Sequence, residues 1–111
     1  MSFIVTSKCE PGVARMTLSG RLDANTAPAF KSEIEKVATD KPHTLVLLVA
    51  ELEYMASAGI RMLVFTKQKL GVDADIYIVA ANEQIVSTLE MTGVDKSVIF
   101  VEEFEAATTT L

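Results

Sequence analysis

The chain has one cysteine, Cys9, one histidine, His43, and no tryptophan. A lone cysteine excludes an intramolecular disulfide, and one cysteine with one histidine falls short of the roughly four ligands that common structural zinc sites use. The same scarcity limits catalysis at neutral pH, because these are the side chains that titrate or attack most readily there. A Cys9–His43 nucleophilic pair is formally available. His43, however, lies between Pro42 and Thr44 at a strand entrance, and Cys9 near the end of a strand, where a packed or exposed structural role is the commoner outcome. Gly12, Gly20, Gly59, Gly71 and Gly93 are widely separated and none leads into Lys-Ser/Thr, so no phosphate-binding loop is formed. The carboxylate pairs Glu51/Glu53 and Asp73/Asp75 fall in loops or at strand edges and read as solvated charges. Apolar runs such as Thr44 to Ala50 are far shorter than the ~20 residues of a membrane-spanning helix. The N-terminus carries no basic segment followed by an apolar stretch, so no export signal is expected. These absences predict a soluble, cytoplasmic protein with no catalytic group, metal or cofactor.

Charge narrows the partners. Ten Lys and Arg stand against fifteen Asp and Glu, a net charge of -5, with the basic residues scattered along the chain. Such a surface repels phosphate backbones and anionic lipid, so neither nucleic acid nor membrane is an expected partner. What the chain has in quantity is apolar side chains: half of its 111 residues are hydrophobic and 23% charged. A chain of that length buries roughly two-thirds of the surface it exposes when unfolded, which predicts one domain over residues 1–111.

Periodicity divides the chain into short elements. Phe3 to Thr6 reads as a strand, and Val13 to Ser19 alternates with period two; Glu10-Pro11-Gly12 between them is a turn signal, so an N-terminal hairpin is predicted. From Gly20 the spacing becomes helical, with Ala27, Phe30, Ile34, Val37 and Ala38 on one face, Asn25 or Thr26 as N-cap, Pro28 in the first turn and an end near Asp40. Thr44 to Val49 is a nearly unbroken apolar run, as in a central strand covered on both faces. Ser57-Ala58-Gly59 opens a second helix that runs to about Leu70, with Ile60, Leu63, Val64 and Leu70 inward and Gly71 as its stop. Asp75 to Ala80 gives another strand, and Asn82 caps a third helix bearing Ile85, Val86 and Leu89 and ending at Gly93. Ser97 to Val101 is a last strand, with Glu102 to Ala107 as the acidic start of a final helix. The order β-β-α-β-α-β-α-β-α predicts an α/β domain: a mostly parallel sheet with helices packed on it.

Three segments in this order resemble the STAS family, named after sulfate transporters and anti-sigma-factor antagonists. They are Leu18-Ser19-Gly20-Arg21-Leu22-Asp23 followed by Thr26 and Ala27, then Leu45 to Leu63 containing Tyr54-Met55-Ala56-Ser57-Ala58-Gly59-Ile60-Arg61, then Leu89-Glu90-Met91-Thr92-Gly93-Val94. The resemblance implies a helix-layered sheet with an extra N-terminal strand. It also implies a switch: the unmodified protein binds a kinase-like anti-sigma factor, serine phosphorylation by that partner ends the binding, and a cognate phosphatase would reset it. Ser57 matches the phosphorylated serine, and Asp23 and Thr26 match positions close to it. A residue at a helix start faces unsatisfied amides and the positive end of the helix dipole, where a phosphate is well held. The plainer role for Ser57 is that of an N-cap. The chain departs from many switch members at Ala56, where they have Asp, at Leu48, where they have an acidic or amide residue, and at Ala58, where they have a second Ser or Thr.

The expected partner surface comprises Ser57 with its neighbours Ala56, Ala58 and Gly59, and the outward row Arg61, Phe65 and Lys69 at four-residue steps. Met55 and Met62 are expected to add adaptable apolar contacts, and Asp23 and Thr26 to complete the surface; the plainer role of Phe65 and Met62 is to complete the core. The rival reading of the same family resemblance is a STAS subunit of another assembly, such as a lipid-transport ATPase or a stress-signalling scaffold.

Overall fold

The computed structural model describes residues 3–71 and 73–102. A hairpin comes first: β1 (Ile4–Glu10) pairs antiparallel with β2 (Val13–Leu22). Its turn needs Gly12, whose φ of +79° is open mainly to glycine and whose missing side chain leaves room for the His43 ring. Next come α1 (Ala27–Ala38), β3 (Thr44–Met55), α2 (Ser57–Leu70), β4 (Asp75–Val79), α3 (Glu83–Thr92), a 3-10 turn (Val94–Ser97) and β5 (Ile99–Val101). The strands lie in the order β1-β2-β3-β4-β5, parallel from β2 onward.

That order fixes where the helices go. Each crossover joins a strand to its immediate neighbour in the same direction, and right-handed connections then place α1, α2 and α3 on one face of the sheet. The core agrees: Met16, Leu18, Leu45, Leu47, Ile76 and Ile78, all pointing to one side, cluster with Phe30 and Ile34 of α1, Ile60 and Leu63 of α2, and Ile85 and Leu89 of α3. Alternation sends Val46, Leu48, Tyr77 and Val79 to the opposite face. Each fully buried Leu, Ile or Phe contributes about 1.5–3 kcal/mol of transfer free energy, so this cluster dominates stability.

Several expectations are refined. β1 extends to Glu10 and β3 to Met55, beyond the predicted Thr6 and Val49. Both extensions lie where apolar alternation fades, at Lys8 and at exposed Glu51 and Glu53. The apolar run of β3 is buried at Leu45, Val46, Leu47 and Val49, although the described helices cover only one face of it. Val64 was expected inward but is exposed, since Ile60 and Leu63 already fill the stripe. The last strand begins at Ile99, because Val94–Ser97 closes a 3-10 turn after Gly93. The predicted final helix falls outside the described residues, apart from Glu102, which lies in a bend.

Candidate functional site

β2 and β3 run side by side to their C-terminal ends, where Leu22 is level with Met55. The Ala56 amide donates to Leu22 O at 2.8 Å. The turn that begins at Asp23 and the one that delivers Ser57 are thereby held next to each other. Asp23 organises its own turn: its carboxylate oxygen accepts from the amides of Asn25 (3.0 Å) and Thr26 (3.2 Å). The Thr26 hydroxyl accepts from the Asp23 amide at 2.9 Å and donates to Arg21 O at 2.9 Å. Thr26 is the N-cap of α1, as one of two predicted alternatives, but its hydroxyl closes the Asp23 turn and caps no helix amide.

Ser57 is not the N-cap of α2. That position is Ala56, in extended conformation with no side chain able to cap, and Ser57 is the first helical residue, exposed to solvent. The first helical amides to bond are those of Gly59 (2.9 Å) and Ile60 (3.3 Å), both to Ala56 O. The amides of Ser57 and Ala58 thus belong to the helix end that an α-helix leaves without internal partners.

Behind this exposed turn the packing is tight. Gly59 is buried, and a Cβ there would stand 2.8 Å from Leu22 Cδ2 and 2.8 Å from Met55 Cγ. Gly59, expected where a turn meets the second helix, lies in the first turn of that helix, and what it provides is close approach. Met55, expected as an apolar contact on the surface, is 1% exposed and belongs to the core. Leu52 and Met55 lie three residues apart and are both buried because the β2–β3 register slips between them, so the sulfur is spent on packing.

Along α2, Arg61 and Lys69 are exposed, whereas Phe65 and Met62 are half-buried against the core. Two ammonium groups approach the Phe65 ring, Lys31 Nζ of α1 at 5.4 Å and Lys69 Nζ at 5.9 Å from its centre. Arg21 stacks over Tyr54, 4.3 Å from the ring centre, beside the Asp23 turn. Gln84 of α3 and its N-cap Asn82 also reach this region: Gln84 bonds the Met55 backbone, and Asn82, expected only as a cap, bonds Leu52 O. Neither carries a sequence signal for the site, because the contact crosses 29 residues of chain.

The two reactive residue types lie elsewhere. Cys9 is exposed near the end of α1, and partial desolvation of its thiol followed by the Asp40 carboxylate beside it pushes its pKa up, away from the thiolate. His43 rests its ring on Gly12 and pairs Nδ1 with Thr44 Oγ1 at 2.9 Å. No helix among the described residues is long and apolar enough to cross a membrane.

Comparison with known proteins agrees with this geometry. The STAS domain profile matches residues 5–107. The anti-sigma-F factor antagonist RsfB of Mycobacterium tuberculosis is 30% identical over 96 residues, covering 86% of this chain and 79% of RsfB. An anti-sigma factor antagonist from Mycobacterium paratuberculosis superposes with a TM-score of 0.84 at 29% identity, over 98% of this chain and 93% of that one. The phosphorylated form of the Bacillus cell fate determinant SpoIIAA shares the fold, with a TM-score of 0.72 at 15% identity over 99% of this chain and 100% of its own. With the strand order, the helix-opening Ser57 and the paired turns at Asp23 and Ala56 in place, the chain belongs to the STAS domain family, in its anti-sigma-factor antagonist branch.

Proposed function

We infer that this protein is a cytoplasmic anti-sigma-factor antagonist that works by binding a kinase-like anti-sigma factor, with no catalysis of its own, and that phosphorylation of Ser57 ends the binding. The observation that carries the reading is the position of Ser57: exposed, on the first turn of α2, at the place where the family pattern has its phosphoacceptor. A phosphate there would add about 1.5–2 negative charges to the partner surface at neutral pH and would meet the free amides of the first turn. A charge of that size, placed in a fitted interface, costs far more than the contact of one hydroxyl contributes. The topology supports a binding role as well. A sheet wound in one direction has no switch point, the place where open α/β sheets usually form a ligand crevice.

The test is a reaction with the kinase-like partner and ATP, followed by peptide mass spectrometry. One phosphate on Ser57 is expected. Ser57→Asp is expected to bind the partner at least about tenfold more weakly, a loss of about 1.4 kcal/mol, and Ser57→Ala to bind normally. Ala56→Asp, which supplies the residue many switch members carry, is expected to speed the reaction without moving its site. A tight complex that leaves Ser57 unmodified in both the parent and Ala56→Asp would overturn the switch.

A further inference from the structure

β3 overruns one of its neighbours. β2 accompanies it as far as Met55, but β4 does so only from Thr44 to Leu48. On the β4 side the backbone from Val49 to Met55 therefore has no strand to bond. Exposed Ala50, Glu51 and Glu53 can turn to water, but a buried backbone group left without a partner costs about 1–3 kcal/mol, so buried Leu52 and Met55 call for partners.

The N-cap of α3 and a residue of its first turn supply them. Asn82 Nδ2 donates to Leu52 O at 3.3 Å and to Glu53 O at 3.2 Å. The Gln84 carboxamide clasps Met55 from both ends: Oε1 accepts from the Met55 amide at 3.1 Å, and Nε2 donates to Met55 O at 3.3 Å. A carboxamide presents an acceptor and a donor in one plane, as a peptide group does, and so substitutes for a missing strand residue. The clasp is itself braced. Nε2 also donates to Thr88 Oγ1 at 2.9 Å, whose hydroxyl donates back to Gln84 O at 2.7 Å.

The clasp sits two residues before Ser57. Met55 is held by Gln84 on one side, and the next residue, Ala56, by Leu22 O on the other. The direction in which the chain leaves β3, and hence the placement of the Ser57 hydroxyl, is set between these two grips. We propose that Gln84 is a positioning residue for the phosphoacceptor, acting through the Met55 backbone and touching no reacting atom. This role rests on the reading of Ser57 as the phosphorylation site. The site demands a side chain that accepts and donates at once: Met fills the space and does neither, Glu accepts but sets an anion against Met55 O, and Asn is one methylene too short.

The test compares the parent with Gln84→Met, and with Thr88→Val, which removes only the brace. Amide exchange at Met55 by NMR reports the clasp, and the phosphorylation of Ser57 at saturating and limiting protein reports positioning. Gln84→Met is expected to lower Met55 protection by about tenfold, the equivalent of one hydrogen bond, and to lower kcat several-fold while KM changes little. Thr88→Val is expected to fall between the two, and it decides the question if Gln84→Met does not fold. Lost Met55 protection with an unchanged kcat would overturn the positioning role alone. A parent that takes no phosphate on Ser57 would instead overturn the functional reading, and the positioning role with it.

Discussion

Gly59 shows how much one absent side chain can decide. Replacing a helical glycine normally gains up to about 1 kcal/mol in propensity, less for a β-branched residue. At this position any Cβ meets Leu22 and Met55 at 2.8 Å, and both are fully buried, so neither can swing away. Overpacking of this kind costs about 1–3 kcal/mol and outweighs the propensity gain. Gly59→Val is accordingly expected to destabilise the protein by about 2 kcal/mol, a fall of roughly 10 °C in Tm by circular dichroism. An unchanged Tm would mean that the Leu22–Met55 contact is looser than described. From sequence this glycine reads as the junction of a turn and the second helix, where glycine serves for its backbone freedom. Only the packing of a β2 side chain against the first turn of α2 reveals a steric role, and that contact is invisible to local pattern. Met55 reads as a surface residue for the same reason: it closes the partly exposed end of β3, and its burial depends on what crosses over it.

At the scale of elements, α2 divides its faces between the core and the outside. Ile60 and Leu63 are buried, Arg61 and Lys69 are exposed, and Phe65 is half-buried with two lysines near its ring. If this outer row meets the partner, Arg61→Glu should leave stability within about 0.5 kcal/mol of the parent, as surface changes usually do. Its affinity for the kinase-like partner should fall about tenfold or more, because a reversed charge repels as well as failing to attract. Calorimetric titration beside a thermal melt separates the two effects, and full affinity would exclude the outer row from the interface. The helical periodicity of α1 and α2 was legible because 3.6-residue spacing survives most surface substitutions. The second half of β3 was not, since Glu51 and Glu53 are held in the sheet by pairing with β2 and by Asn82, both distant in sequence. The site was legible as a motif around Ser57, whereas its supports on α3 were not.

For the molecule as a whole, every described helix and all five strands contribute to or border one hydrophobic cluster. Cutting any part of that cluster exposes the rest, so the chain should unfold as a single cooperative unit. Far-ultraviolet dichroism and tyrosine fluorescence offer the check, since Tyr54 reports the Ser57 end of the sheet and Tyr77 its β4 strand. Coincident midpoints are expected; separated ones would divide the chain into independently melting parts. The strand order 1-2-3-4-5 has one more consequence, for synthesis on the ribosome. Each strand that emerges finds its neighbour already made and adds to the free edge, and none has to wait for a later strand or be inserted between two earlier ones. The protein can therefore be laid down in the order in which it is translated, with the hairpin of β1 and β2 as the template and the turn that carries Ser57 completed only when α3 arrives to hold it.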